Sequence, residues 1–301
     1  MEKRRKIKLG QAIWSVFRFV LILGLCYVIL EPFFVKILSA FMSRQDLLDA
    51  TVKYVPKDWS LNFWKHALKN LQVSTAGLRS LRLSLVSAIL QTLTSTLVGY
   101  GLARFKFKGR TLLFVAVIIV MIVPSQIYSI SQYLGFRFFG LGEWTINMLD
   151  TEWPVYILAF CGLAMKQCVY IYLMREFFIG MPNDLENAAA VDGASVIGTF
   201  IRIVLPNAVT MMVTVFLFAF CWQWTDVSFS SLYFEKNLTM AQIPTSSLMM
   251  QVYTESGVRD NLSTAIAQNA GAILVILPLV GLAIICQKFL VQSISQSGLA
   301  N

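Results

Sequence analysis

Six apolar runs, near 12–42, 81–103, 111–134, 152–174, 206–233 and 264–290, alternate with polar segments along the chain. A bilayer core of ~30 Å takes ~20 apolar residues per helix, and runs of this length without strict two-residue alternation predict helices that cross it. The pattern predicts an all-α polytopic membrane protein with six transmembrane helices and both termini on one side. The polar segment at 181–206, MPNDLENAAAVDGASVIGTFIRIVLP, carries its own helical punctuation. Pro182 suits a first helical turn, Asp184 and Glu186 complement its positive end, and Ala188, Ala189 and Ala190 present almost no side chain. Gly193 is placed to stop that helix in the left-handed conformation, Ser195 to cap a second one, and Pro206 to end it where the apolar sequence resumes. The expectation is a helix-turn-helix loop on a membrane face.

Composition fits a membrane chain: of 301 residues, 57% are apolar and 14% charged, more apolar surface than a water-soluble fold hides. The net charge of +9 would suggest nucleic acid in a soluble protein. No basic region is interleaved with stacking aromatics, so nucleic acid is not an expected partner, and the charge is read as an orientation signal in the lipid bilayer. With the N-terminus inside, the inner segments hold 12 Lys and Arg and the longer outer ones hold 9. The clusters at 3–8 and 104–110 place both termini in the cytoplasm of a bacterial-type cell (inner) membrane. Lys3 to Lys8 before an apolar run also describe a signal peptide, but no small-x-small cleavage site follows, and bulky Leu25 before Cys26 argues against a lipoprotein. The first run is read as a retained signal anchor. Cys26, Cys161, Cys168, Cys221 and Cys286 all lie in apolar runs, as small hydrophobes rather than a disulfide framework, and no metal site is expected.

The 181–206 segment resembles the coupling loop of ABC-importer permeases, with its pattern Glu-Ala-Ala, three residues, Gly, nine residues, Ile, one residue, Leu-Pro. Ala188, Ala189, Gly193, Ile203, Leu205 and Pro206 fall in that register, and Asn187 stands where the family usually has Glu. YGLARFKFKGR at 100–110 is similar to the basic turn between the second and third helices of sugar-uptake permeases. The C-terminal QKFLVQSISQSGLAN is similar to their tail, and DWSLNFWKHAL at 58–68 looks like their short helix after the first span. The resemblance covers nearly the whole chain and points to the shorter permease of a maltose-type importer. It implies a tail, first helix and loop at 1–79, a permease core at 80–290 and a cytoplasmic tail at 291–301.

The family likeness further implies an ATPase-docking loop of Pro182, Glu186, Asn187, Ala188, Ala189, Asp192, Gly193, Ile203, Leu205 and Pro206. It implies alternating access and carbohydrate import driven by two ATP-binding subunits, alongside a second permease in a hetero-dimer and an extracytoplasmic solute-binding protein. The chain has no G-x-x-x-x-G-K-[ST] phosphate loop, so no cofactor is expected in it, and ATP with Mg falls to the partner ATPase. No Ser/His/Asp or Cys/His arrangement supports a catalytic residue, and the lone His66 sits in a polar loop.

Polar groups within the spans are costly in lipid and face a cavity or a partner. Gln132, Trp224, Asp226 and Asn269 are the candidate substrate path, since aromatic faces beside a carboxylate and amides suit a sugar's C–H faces and hydroxyls. An aromatic belt with a structural hydrogen bond explains Trp224 and Asp226 equally. Pro124 and Pro278 are read as kinks, and Lys166 as snorkelling or making an interhelical contact. A different-class alternative is an ion- or proton-coupled secondary transporter of a small polar solute, which would need acid relays or inverted repeats.

Overall fold

The computed structural model describes residues 2–142, 144–246, 250–254 and 256–298. The side chains of the basic cluster at 3–8, and of the C-terminal segment from 289 onward, lie outside the described residues. The chain divides into two compact units, residues 1–70 with 247–274, and residues 71–246 with 275–301.

In the first unit, α1 (Glu2–Ser39) is the first apolar run. From Ile13 onward it is exposed almost throughout, as a helix surrounded by lipid requires. Two short helices follow. In α2 (Arg44–Leu48), Ser43 accepts from the Asp46 amide while the Asp46 carboxylate accepts from the Ser43 amide, a reciprocal cap. In α3 (Asn62–Asn70), at the position where the sequence resembled a short helix, Phe63 packs against Ile266 and Ala267.

The second unit is built on α4 (Leu78–Arg104), preceded by a π-helical turn at Val73–Gly77. One stripe of α4 carries Ser80, Ser84, Ser87, Gln91, Ser95 and Gly99, all buried. Apart from Gln91 these side chains are small, and small side chains let backbones approach closely in a membrane. A Cβ at Gly99 would stand 2.7 Å from the Met174 Cβ, so α4 and its neighbour meet there backbone to backbone. Next come α5 (Arg110–Ile122) and α6 (Ser125–Arg137). The third apolar run is thus not one kinked helix but two, bent by 101° at Pro124. Val123 before the proline is extended, ψ 124°, because the proline ring disfavours a helical residue ahead of it. A hairpin of β1 (Phe139–Leu141) and β2 (Trp144–Ile146) pairs Phe139 with Ile146.

The fourth run also departs from expectation. It forms α7 (Trp153–Phe160) and α8 (Gln167–Gly180), 8 and 14 residues long, each short of the ~20 that cross a bilayer alone. The break holds Gly162 at φ 79° and Lys166 at φ 60°. Gln167, fully buried, closes it by donating to the Ala159 carbonyl at 2.7 Å and accepting from the Ala164 amide at 3.1 Å. After α9 (Asp184–Val191) and α10 (Val196–Thr199), a π-helical turn at Phe200–Val204 leads into α11 (Leu205–Thr225). Val196–Thr225 therefore reads as one 30-residue span, beginning before the expected 206. The short α12 (Ser228–Tyr233) and α13 (Gln242–Ser246) follow. The last helix, α14 (Asn261–Gly298), runs without a break through Pro278, and 299–301 lie outside the described residues. Among those described, four helices are long and apolar enough to cross a membrane, or five if the bent α5–α6 pair is one span.

Candidate functional site

The helix-Gly-helix reading of 181–206 has a definite geometry. Pro182 lies just outside α9, with Asn183 flanking the helix and its carbonyl receiving the Glu186 and Asn187 amides. At the other end the Ala194 amide donates to the Ala189 carbonyl at 2.9 Å, the Gly193 amide donates to the Ala190 carbonyl at 3.1 Å, and Gly193 has φ 78°. This is a Schellman motif with glycine at the left-handed position. Ser195 then caps α10 by accepting from the Gly198 amide at 3.1 Å. One expectation needs correction: Pro206 does not end the second helix, which continues through the π-helical turn into α11. The wider turn reshuffles the carbonyl partners, and Pro206 falls at the start of the following α-helical segment, where a missing N–H costs little.

The loop is clamped to the end of α4. Arg104 makes a 2.9 Å ion pair with Glu186, ionic rather than a directed hydrogen bond, and both side chains are largely buried. Its guanidinium also donates to the Asn183 side chain and to the Met181 carbonyl, the latter at 2.7 Å. The Tyr100 hydroxyl donates to Glu186 at 3.2 Å, and its ring packs on Phe105, Phe178 and Phe200 with centroids 5.5, 5.4 and 4.7 Å away. Glu186 is thus held inside the chain. Ala189 is 4% exposed and also faces inward, whereas Asn187, Ala188, Asp192 and Gly193 are exposed. Val191 stands 88% exposed at the crest, with Val196, Ile197 and Ile201 also exposed beyond it. Ile203 and Leu205 are half-buried and Pro206 is exposed. Sequence reading missed the clamp, although its signal stood in the basic turn: Arg104 closes α4 within contact of the loop.

A cavity of about 650 Å³ opens at the α5–α6 bend, lined among others by Gln126, Tyr128, Gln132, Lys166 and Trp222. Gln132 is on its wall and accepts from the Tyr233 hydroxyl at 3.1 Å. Asp226 lines a small adjoining pocket with Tyr128 and Gln132. Its carboxylate accepts from the Ser230 amide and hydroxyl at 2.7 and 2.9 Å and from the Phe229 amide at 3.2 Å, so it caps α12. Trp224 is buried, stacks on Phe220 and donates its indole N–H to the Val275 carbonyl at 2.8 Å. The tryptophan on the cavity wall is Trp222, under the Lys166 ammonium at 5.4 Å. Asn269 is half-buried on α14 in the first unit. Alternate helical positions are not separable in a run apolar on all sides, which is why Trp222 was missed.

Elsewhere in the second unit, an acidic latch joins two loops. Asp150, at φ 59°, accepts from the Glu235 and Lys236 amides at 2.8 Å each and from the Asn237 amide at 3.4 Å. Burial alone would raise its pKa, but these three amides and the Lys236 charge outweigh it and hold the carboxyl below the usual range.

Comparison with known proteins places these features in a family. A family model described as the inner membrane component of binding-protein-dependent transport systems matches residues 95–296, which contain the whole 181–206 loop and the bend cavity. The chain is 26% identical over 299 residues to a probable ABC transporter permease, YurM, of Bacillus subtilis, covering 97% of this chain and 89% of that one. It is 27% identical over 243 residues to the trehalose transport system permease SugB of Mycobacterium tuberculosis, covering 81% and 83%. A crystal structure of a bacterial ABC transporter involved in importing the acidic polysaccharide alginate shares the fold, with a TM-score of 0.71, 17% identity, and 93% and 97% of the two chains covered. With the family match spanning two-thirds of its length, this chain belongs to the inner membrane components of binding-protein-dependent transport systems.

Proposed function

We propose that the chain is the membrane-spanning permease of an ATP-driven importer that moves a carbohydrate, an oligosaccharide in particular, inward by alternating access. In this reading the chain crosses a bacterial-type inner membrane six times, the bent α5–α6 pair and the broken α7–α8 pair each counting as one crossing, with both termini and the 181–206 loop on the cytoplasmic side. Two separate ATPase subunits hold ATP and Mg and grip the loop. A second permease completes a hetero-dimer around the path, and an extracytoplasmic binding protein delivers the solute. The carbohydrate reading is supported by the trehalose and alginate in the names of the similar proteins, and by the cavity lined with Trp222, Tyr128, Gln126 and Gln132.

The observation that carries the reading is the loop: a Schellman-terminated helix whose base is locked to α4 by Arg104 and whose exposed face sets Ala188, Val191 and Gly193 beside Asn187 and Asp192. A lever of this kind transmits a push without deforming. Affinity purification of the tagged chain from its native membrane tests it. Recovery of an ATPase pair and a second permease, with a saccharide-binding protein stimulating hydrolysis, is the expected result; proton-coupled uptake by this chain alone would replace the reading with a secondary carrier.

A further inference from the structure

Lys166 is a charged residue of the second unit that the loop and its clamp leave unused. It lies within the fourth apolar run, where an ammonium is costly and marks function by default, and it is the one charged side chain on the wall of the 650 Å³ cavity. Its ammonium rests over Trp222 at 5.4 Å, and no carboxylate pairs with it among the described residues. Asp226, in the adjoining pocket, spends its carboxylate on Ser230 and Phe229. The backbone of Lys166 is held at φ 60° in the break before α8, a conformation that costs energy in a lysine, so the side chain projects from a fixed point. Ser125, Gln126 and Gln167 at the positive ends of α6 and α8 line the same cavity, giving a field of the same sign. The remaining wall is largely aliphatic, and set in it are the amides of Gln126 and Gln132 and the rings of Tyr128, Trp222 and Phe229, which suit sugar hydroxyls and C–H faces.

We propose that Lys166 is the specificity residue of this cavity, favouring sugars that carry an anionic group, a carboxylate or a phosphate, over neutral sugars of the same size. The inference rests on the carbohydrate-permease reading and deepens it. Lys166 is exposed on this wall and Trp222 is 45% exposed, so the ammonium is open to a ligand, and an anion pairs with it by a charge-assisted hydrogen bond about twice as strong as one to a neutral hydroxyl.

The test uses the whole complex, this chain with its second permease and ATPases, solubilised at low salt. Binding of a neutral glucose trisaccharide, a uronic-acid trisaccharide and a glucose phosphate is measured by ligand-observed NMR titration. The expected result is roughly tenfold tighter binding of one or both anionic sugars, and which of them gains identifies carboxylate or phosphate as the source. Lys166→Gln should erase that preference, bringing the anionic sugars down to the affinity of the neutral one, and Lys166→Arg should retain it. An equal affinity for all three probes, or a preference that survives Lys166→Gln, overturns the inference and leaves the carbohydrate reading standing. Loss of the second permease from the Lys166→Gln complex on size exclusion would also overturn it, by showing that Lys166 pairs with the partner subunit. Binding of no saccharide at all to an intact complex would fail the carbohydrate reading itself, and the inference with it.

Discussion

At the scale of single residues, the loop depends on conformation at one position and on facing at two others. Gly193 has open space where a Cβ would go, yet its φ of 78° lies in the left-handed region, so the barrier to substitution is backbone strain rather than a clash. Gly193→Val should cost about 1–2 kcal/mol locally, unseat the two amide bonds that terminate α9, and reduce ATPase retention in pull-downs while membrane insertion stays normal. Undiminished retention and uptake would contradict the turn geometry. The alanines separate two roles. Ala188→Trp enlarges the exposed face and should block coupled uptake in a well-folded, monodisperse complex. Ala189→Trp forces a large side chain into the chain's own interior, where overpacking costs roughly 1–3 kcal/mol, and should lower expression and thermal stability instead. Asn187→Ala, at an exposed site, should change uptake little. Three consecutive alanines carry no amphipathic signal, so the sequence told that the face was small but not which alanine pointed out. Gly193 and Ser195, by contrast, were legible because positive φ and helix capping each restrict residue choice.

At the scale of elements, the long apolar helices were plain from the sequence and their breaks were not. Pro124 signalled a kink, but a proline sets only the local geometry, and the 101° turn depends on what the two halves pack against. Nothing apolar distinguishes residues 161–166 from their surroundings; the break there rests on Gly162, on Lys166 in a left-handed conformation, and on the buried Gln167 that bridges it. The α4 stripe at Ser80, Ser84, Ser87, Gln91, Ser95 and Gly99 was present at helical spacing all along, and its meaning needs only the rule that small residues bring membrane helices together. The loop latch at Asp150 belongs to this scale too. Its folded pKa is depressed, so its contribution is full above the ordinary carboxylate value of 3.8 and is lost as pH falls through the lower folded value. Hydrogen exchange at amides 235–237, corrected for intrinsic rate, should stay protected between about pH 5 and 8 and open only in strong acid. In Asp150→Ala the same amides should exchange at least about tenfold faster at neutral pH, since three donors lose their acceptor. Equal protection in the variant would remove the latch from the account.

At the scale of the whole molecule, the chain holds a helix-turn-helix loop clamped by Arg104, a cavity at the α5–α6 bend and no phosphate-loop motif in its sequence. Of the candidate path residues, Gln132 lines the cavity, while Trp224 and Asp226 are spent on structural hydrogen bonds. Trp222 and Lys166 take their place on the wall because a run apolar on every side hides which residues face inward. On the proposed reading, energy for transport comes through the 181–206 loop from another polypeptide. The most direct measurement is solute accumulation in sealed proteoliposomes containing this chain alone, or this chain with its second permease, ATPase pair and binding protein, each with and without internal ATP. Accumulation is expected only in the full assembly with ATP, and none from the single chain; robust accumulation by the chain alone without ATP would rule out an ATPase-driven permease.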